Sequence, residues 1–142
     1  MFVLNHQDGD IKYEFEKGGY ALQDSKLYLS IQTKAVEEDA FPDCYYFALD
    51  GYPIKEPLES TNIKISTNPE DEPPNVYVYT TFHACEVEAE INLNVLSQTE
   101  IEVNVKVISE DVNYYNEKAR PNPFIGTVKL IEKNFGELWI PT

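Results

Sequence analysis

From Cys85 to Ile108 the chain alternates one by one between apolar and polar side chains. Cys85, Val87, Ala89, Ile91, Leu93 and Val95 form one apolar series, and Ile101, Val103, Val105 and Val107 form a second. Glu86, Glu88, Glu90, Asn92, Asn94, Glu100, Glu102, Asn104 and Lys106 fill the positions between. Neighbours in an extended chain point to opposite faces, so this period predicts two half-buried strands joined around Ser97-Gln98-Thr99. Setting Leu93 opposite Val103 puts Glu90 opposite Lys106, Asn92 opposite Asn104 and Asn94 opposite Glu102. One face of the hairpin is aliphatic. The other carries carboxylates and amides and is expected to form an exposed negative patch.

The same period recurs earlier and later. Ile11, Tyr13 and Phe15 alternate with Lys12, Glu14 and Glu16, after an Asp8-Gly9-Asp10 turn. Gly18-Gly19 reads as the next turn, with a return strand through Leu27, Leu29 and Ile31. Cys44 to Leu49 is a continuous apolar run between Pro42 and Asp50-Gly51, the signature of a strand buried on both faces. Pro53 and Pro57 keep the following piece irregular or at a sheet edge. Ile63 and Ile65 mark another strand, and Val76 to Phe82 is rich in β-branched and aromatic residues. Phe124 to Ile131 and Leu138 to Ile140 supply the closing strands.

The segments between are loops by composition. Thr67 to Asn75 is too charged and proline-rich to enter a core. Thr33 to Asp43 has room for one helical turn, and Ser109 to Pro123 for a short helix over Asp111–Ala119. No internal repeat or linker divides the chain. The expectation is an all-β fold: one antiparallel β-sandwich over residues 1–142, Greek-key or C2-like, with at most one or two short helical turns in loops.

Charge changes the picture. Twenty-five acidic against 11 basic residues leave a net −14 and a pI near 4.4. Nucleic acid and anionic lipid both require a positive footprint, so neither is an expected partner. A cationic protein is. No Lys or Arg stands between Lys64 and Lys106, while Glu70, Asp71, Glu72, Glu86, Glu88 and Glu90 all lie there. The N-terminus lacks the charged start and apolar run of a signal peptide, and no apolar stretch reaches the ~20 residues of a membrane span. Cys44 and Cys85 are expected buried and reduced, in a cytoplasmic protein.

Catalytic chemistry finds little support. His6 and His83 are the only histidines, and His83 stands at a corner where an edge role outweighs that of a base. No nucleophile elbow, phosphate-binding loop or zinc-binding helix is present. Two cysteines forty residues apart do not make a zinc site. The hairpin carboxylates are expected on a solvated face, which does not suit an acid/base pair. The expectation is a protein that is not an enzyme and needs no cofactor or metal.

Ten tyrosines are the other surplus. Tyr77 and Tyr79 share one strand face, suited equally to an interface or to covering the sheet. Tyr114 and Tyr115 are adjacent in a polar loop and read as contact residues. The stretch Val105-Lys-Val107, Ser109-Glu-Asp111 and Asn122-Pro-Phe-Ile-Gly126 resembles the last calcium loop and following strand of C2 domains. Pro123 replaces the acidic ligand there, and no Asp-x-Asp pair precedes the loop. That resemblance implies a calcium-, lipid- or carbohydrate-binding module. In general character the chain resembles bacterial immunity proteins, which are small, acidic and non-catalytic. The leading expectation is therefore an immunity-type inhibitor of a bacterial toxin that neutralises a cationic partner. Its expected contacts are Glu70, Asp71, Glu72, Glu86, Glu88, Glu90, Tyr114 and Tyr115.

Overall fold

A computed structural model describes residues 1–5, 9–36, 42–67, 75–80, 87–109 and 122–141. Ten strands run in chain order: β1 (Phe2–Leu4), β2 (Ile11–Tyr13), β3 (Phe15–Gln23), β4 (Lys26–Thr33) and β5 (Tyr46–Pro53), then β6 (Thr61–Ser66), β7 (Asn75–Tyr79), β8 (Val87–Val95), β9 (Glu100–Ser109) and β10 (Asn122–Ile131). They form two antiparallel sheets, a six-stranded one of order β2-β1-β10-β9-β8-β6 and a four-stranded one of order β3-β4-β5-β7. The expected all-β sandwich is the fold. Among the described residues the only helical turn is a 3-10 turn at Phe135–Glu137, and no helix is long and apolar enough to cross a membrane. The helix expected over Asp111–Ala119 lies outside the described residues, as do residues 37–41 of the stretch from Thr33 to Asp43, whose described ends are not helical.

The β8–β9 hairpin has the register its alternation predicts. Leu93 pairs with Val103, Glu90 with Lys106, Asn92 with Asn104 and Asn94 with Glu102. Val87, Ala89, Ile91 and Leu93, with Ile101, Val103, Val105 and Val107, are all buried. They meet Tyr20, Leu27, Leu29, Ile31, Phe47, Leu49, Val76 and Val78 from the other sheet in one core. A one-residue slip would send each aliphatic side chain to water, so the core pins the register.

Four elements differ from expectation. Gly18-Gly19 is not a turn: both lie inside β3, which reverses at Asp24-Ser25, where φ is +54° and +61°. The glycines serve close approach instead. A Cβ on Gly18 would collide with the Ser30 carbonyl oxygen, and one on Gly19 would lie 2.5 Å from Lys133 Cγ. There the chain leaving β10 crosses to the second sheet: Lys133 N–H donates to the Tyr20 carbonyl at 2.7 Å. The apolar run expected to end at Leu49 continues as β5 through Gly51, at a register shift opposite Leu27 and Leu29. Leu138–Ile140 is not a strand. It lies on the outer side of the four-stranded sheet, where Trp139 N–H donates to Ser30 Oγ at 3.3 Å and its ring meets Tyr46 edge-on at 5.6 Å. Finally, β1 pairs with β10 and β2 although three residues are too short to display a period. Gly126 makes that pairing possible, because a Cβ there would strike the Phe2 ring.

Candidate functional site

The outer face of the six-stranded sheet carries the hairpin's polar residues, and it is not of one sign. β6 lies beside β8, which sets Lys64 against Glu90, with Nζ 3.8 Å from Oε2. Lys106 stands opposite Glu90 on the other side, and Lys129 stands opposite Glu102. The expected negative patch is therefore a mixed ladder of acids and lysines. Lysines distant in sequence arrive through strand pairing. Of the expected contacts, Glu88 and Glu90 come together, along a shallow depression of about 380 Å³ that Lys64 and Lys106 also line. Glu70, Asp71, Glu72, Glu86, Tyr114 and Tyr115 lie outside the described residues, as do His6, His83 and Cys85.

The tyrosines of β7 behave as their alternation predicts. Val76 and Val78 are buried in the core, while Tyr77 and Tyr79 are half-buried on the outer side. There they join an aromatic layer, with Tyr46 5.8 Å from Tyr79 and Tyr28 4.7 Å from Phe135, centroid to centroid. Asp50 accepts a hydrogen bond from the Tyr77 hydroxyl at 3.5 Å. Partial burial pushes the Asp50 carboxyl up, partly offset by Tyr77 and Lys26. This layer lies half-exposed on the outer surface of the four-stranded sheet.

At one end of the sandwich an aromatic column joins the sheets. Phe124 of β10 stacks on Phe2 at 5.1 Å and on Tyr45 at 3.8 Å, with Tyr13 tilted at 6.0 Å. The Tyr13 hydroxyl donates to the Pro42 carbonyl. The fully buried Tyr45 hydroxyl has no hydrogen-bond partner among the described residues. Burial raises both phenols far above their ordinary range. Cys44 is half-buried rather than fully buried, and it is a free thiol. Burial first, and then the Asp43 carboxylate, push it up to about 11.

The strand ends at that column flank four connections. Leu4 pairs with both Ile11 and Phe124, Val36 N–H donates to the Asp43 carbonyl at 2.8 Å, Tyr46 pairs with Tyr79, and Ser109 pairs with both Val87 and Asn122. Residues 6–8, 37–41, 81–86 and 110–121 therefore all depart from and return to the same end. In sequence those four segments hold eight acidic residues against Lys118 and Arg120.

The opposite end holds a cavity of about 690 Å³ between the sheets. Tyr20 and Leu22 of β3, Val95 of β8, Ile101 of β9 and Leu58 from the β5–β6 connection make its apolar wall. Glu56, Pro57, Ser97, Gln98 and Glu132 complete the lining. At Glu132 the lining is held by the backbone, with Glu132 N–H donating to the Thr99 carbonyl at 2.9 Å. Sequence reasoning missed this cavity, because its lining comes from five separate segments with no shared motif.

No group of three or more His, Cys, Asp or Glu among the described residues is placed to hold a metal ion. The C2-like loop expected at Ser109–Pro123 lies largely outside the described residues. No family model, curated protein or solved structure matches this chain.

Proposed function

We propose that this protein is a non-catalytic binding protein that holds a cationic protein partner, as an immunity-type inhibitor of a bacterial toxin working in the cytoplasm. One observation carries the reading: four connections that together hold eight acidic against two basic residues leave the sandwich from the same end. Loops gathered at one end of a rigid sandwich are a common basis for recognition surfaces. Among the described residues Glu88, beside the β8 end at Val87, belongs to this end, whereas Glu90 is already engaged by Lys64. Carboxylates gathered there attract a basic surface from a distance and speed encounter. Desolvation of a few aromatic anchors then holds the complex, with Tyr114 and Tyr115 as the proposed pair.

Co-expression with the product of the adjacent reading frame tests the reading. Relief of that product's toxicity and a complex whose association rate falls steeply with salt are expected. Replacing Glu37, Glu38 and Asp39 by their amides should slow association by about tenfold without moving the melting temperature. Failure to protect, or an association rate indifferent to salt, counts against the proposal.

A further inference from the structure

The cavity at the far end from the acidic connections is a built site with its own chemistry. Its volume of about 690 Å³ lies inside the usual range for small-molecule pockets. Its wall is Leu22, Leu58, Val95 and Ile101, and the charged groups in its lining, Glu56 and Glu132, are both acids. The ion pairs among the described residues are Lys34–Glu14 and Lys64–Glu90, so neither acid is neutralised by a described lysine. Tyr20 adds a polar group. It is only 1% exposed and belongs to the cavity lining. Burial raises its pKa, with Glu132 and then Glu100 adding to the effect, so the phenol sits within reach of two carboxylate fields.

We infer that this cavity binds a small organic cation, an ammonium carried on an apolar body, with the body against Leu22, Leu58, Val95 and Ile101 and the charge between Glu56 and Glu132. The Tyr20 oxygen is available to accept from the ammonium N–H. An anion would face the Glu56 and Glu132 carboxylates, and a purely apolar molecule would leave those charges unanswered. The site is separate from the acidic end, so it stands or falls independently of the inhibitor reading.

The test uses the full chain and three probes sharing one apolar body: 4-phenylbutylammonium, 4-phenylbutanol and 4-phenylbutyrate. Amide chemical shifts locate binding and titration gives affinity. The amine is expected to bind about tenfold more tightly than the alcohol, and the carboxylate not at all, with shifts at Leu22, Leu58 and Ile101. A Glu56→Gln/Glu132→Gln variant should lose the amine's advantage while leaving the alcohol's affinity unchanged. Leu58→Trp, which fills the cavity, should remove both. Equal affinity for all three probes, shifts confined to another surface, or no binding of the amine at low-millimolar concentration would each overturn the assignment. Unchanged melting temperatures and amide spectra of the free variants keep those outcomes distinct from misfolding.

Discussion

The phenol ring of Tyr45 lies flat on Phe124, with centroids 3.8 Å apart and ring planes 2° apart. Tyr45 directly precedes β5 of the four-stranded sheet and Phe124 belongs to β10 of the six-stranded one, so this contact ties the two layers at the acidic end. Its ring contributes burial and stacking, while its hydroxyl has no partner among the described residues. Tyr45→Phe is expected to leave stability unchanged or raise it by up to about 1 kcal/mol, because a buried polar group is relieved. Tyr45→Ala should cost about 3–5 kcal/mol through the cavity it leaves. Urea unfolding of the two variants separates ring from hydroxyl.

Gly19 marks the place where the chain leaving β10 passes from one sheet to the other. A Cβ there would meet Ile131 O at 2.9 Å and Lys133 Cγ at 2.5 Å, whereas at Gly136 it would meet nothing within 4 Å. Gly19→Ala should therefore destabilise by about 1–3 kcal/mol, since the Ile131 carbonyl is backbone that resists moving and the Lys133 stem must shift as well. Gly136→Ala should change stability by less than about 0.5 kcal/mol. Equal midpoints in a thermal melt would refute this account of β3.

High pH should unfold the protein in a defined window. Cys44 is raised from 9.0 to about 11, and Tyr13 and Tyr45 are raised above the ordinary phenol value, burial being the leading cause in each. The native state keeps protons that the unfolded chain releases, so stability is complete below about pH 9 and is lost progressively as pH rises through 11. Denaturant unfolding at a series of pH values reads this directly. In a Cys85→Ser background, alkylation of Cys44 at pH 8 should run about tenfold or more below that of an unstructured cysteine. Asp43→Asn should speed it, by removing a carboxylate that holds the thiol protonated.

The mixed ladder on the six-stranded sheet predicts the cost of making it one-signed. Lys106 faces Glu90, and Lys64 lies beyond it. Lys106→Glu should destabilise by about 0.5–1 kcal/mol at low salt, and by less at high salt. By contrast, Lys106→Gln should be close to neutral, as exposed pairs contribute little. A salt-independent loss would show that packing of the lysine stem, rather than charge, is at stake.

Much of the architecture was readable residue by residue. Val87 to Val95 and Ile101 to Val107 announced their faces, their partner and their register, because alternation couples every side chain to one choice of buried side. Gly18-Gly19 misled for a physical reason: glycine serves a turn and a close crossing equally well, and only the segment at Ile131–Lys133 distinguishes them. Leu138–Ile140 looked like a strand because its apolar side chains need cover and its backbone needs partners. Tyr46 packs on the Trp139 ring and Ser30 Oγ accepts from its backbone N–H, both from the outer side of a sheet. The expected acidic face failed in the same way. Lys64 and Lys129 stand far from the hairpin acids in sequence and adjacent to them in the sheet.

The sequence by itself determined that the chain folds as strands, which side of each long strand is apolar, and that acid outweighs base. Those properties follow from local sterics and from counting, and need no knowledge of neighbours. Only the tertiary structure decided that lysines interleave with the hairpin's glutamates, that four acid-bearing connections leave from one end, and that five separate segments line an open cavity at the other. Each of these depends on which strands pair and where the chain changes sheet, and burial of the whole core selects that arrangement at once.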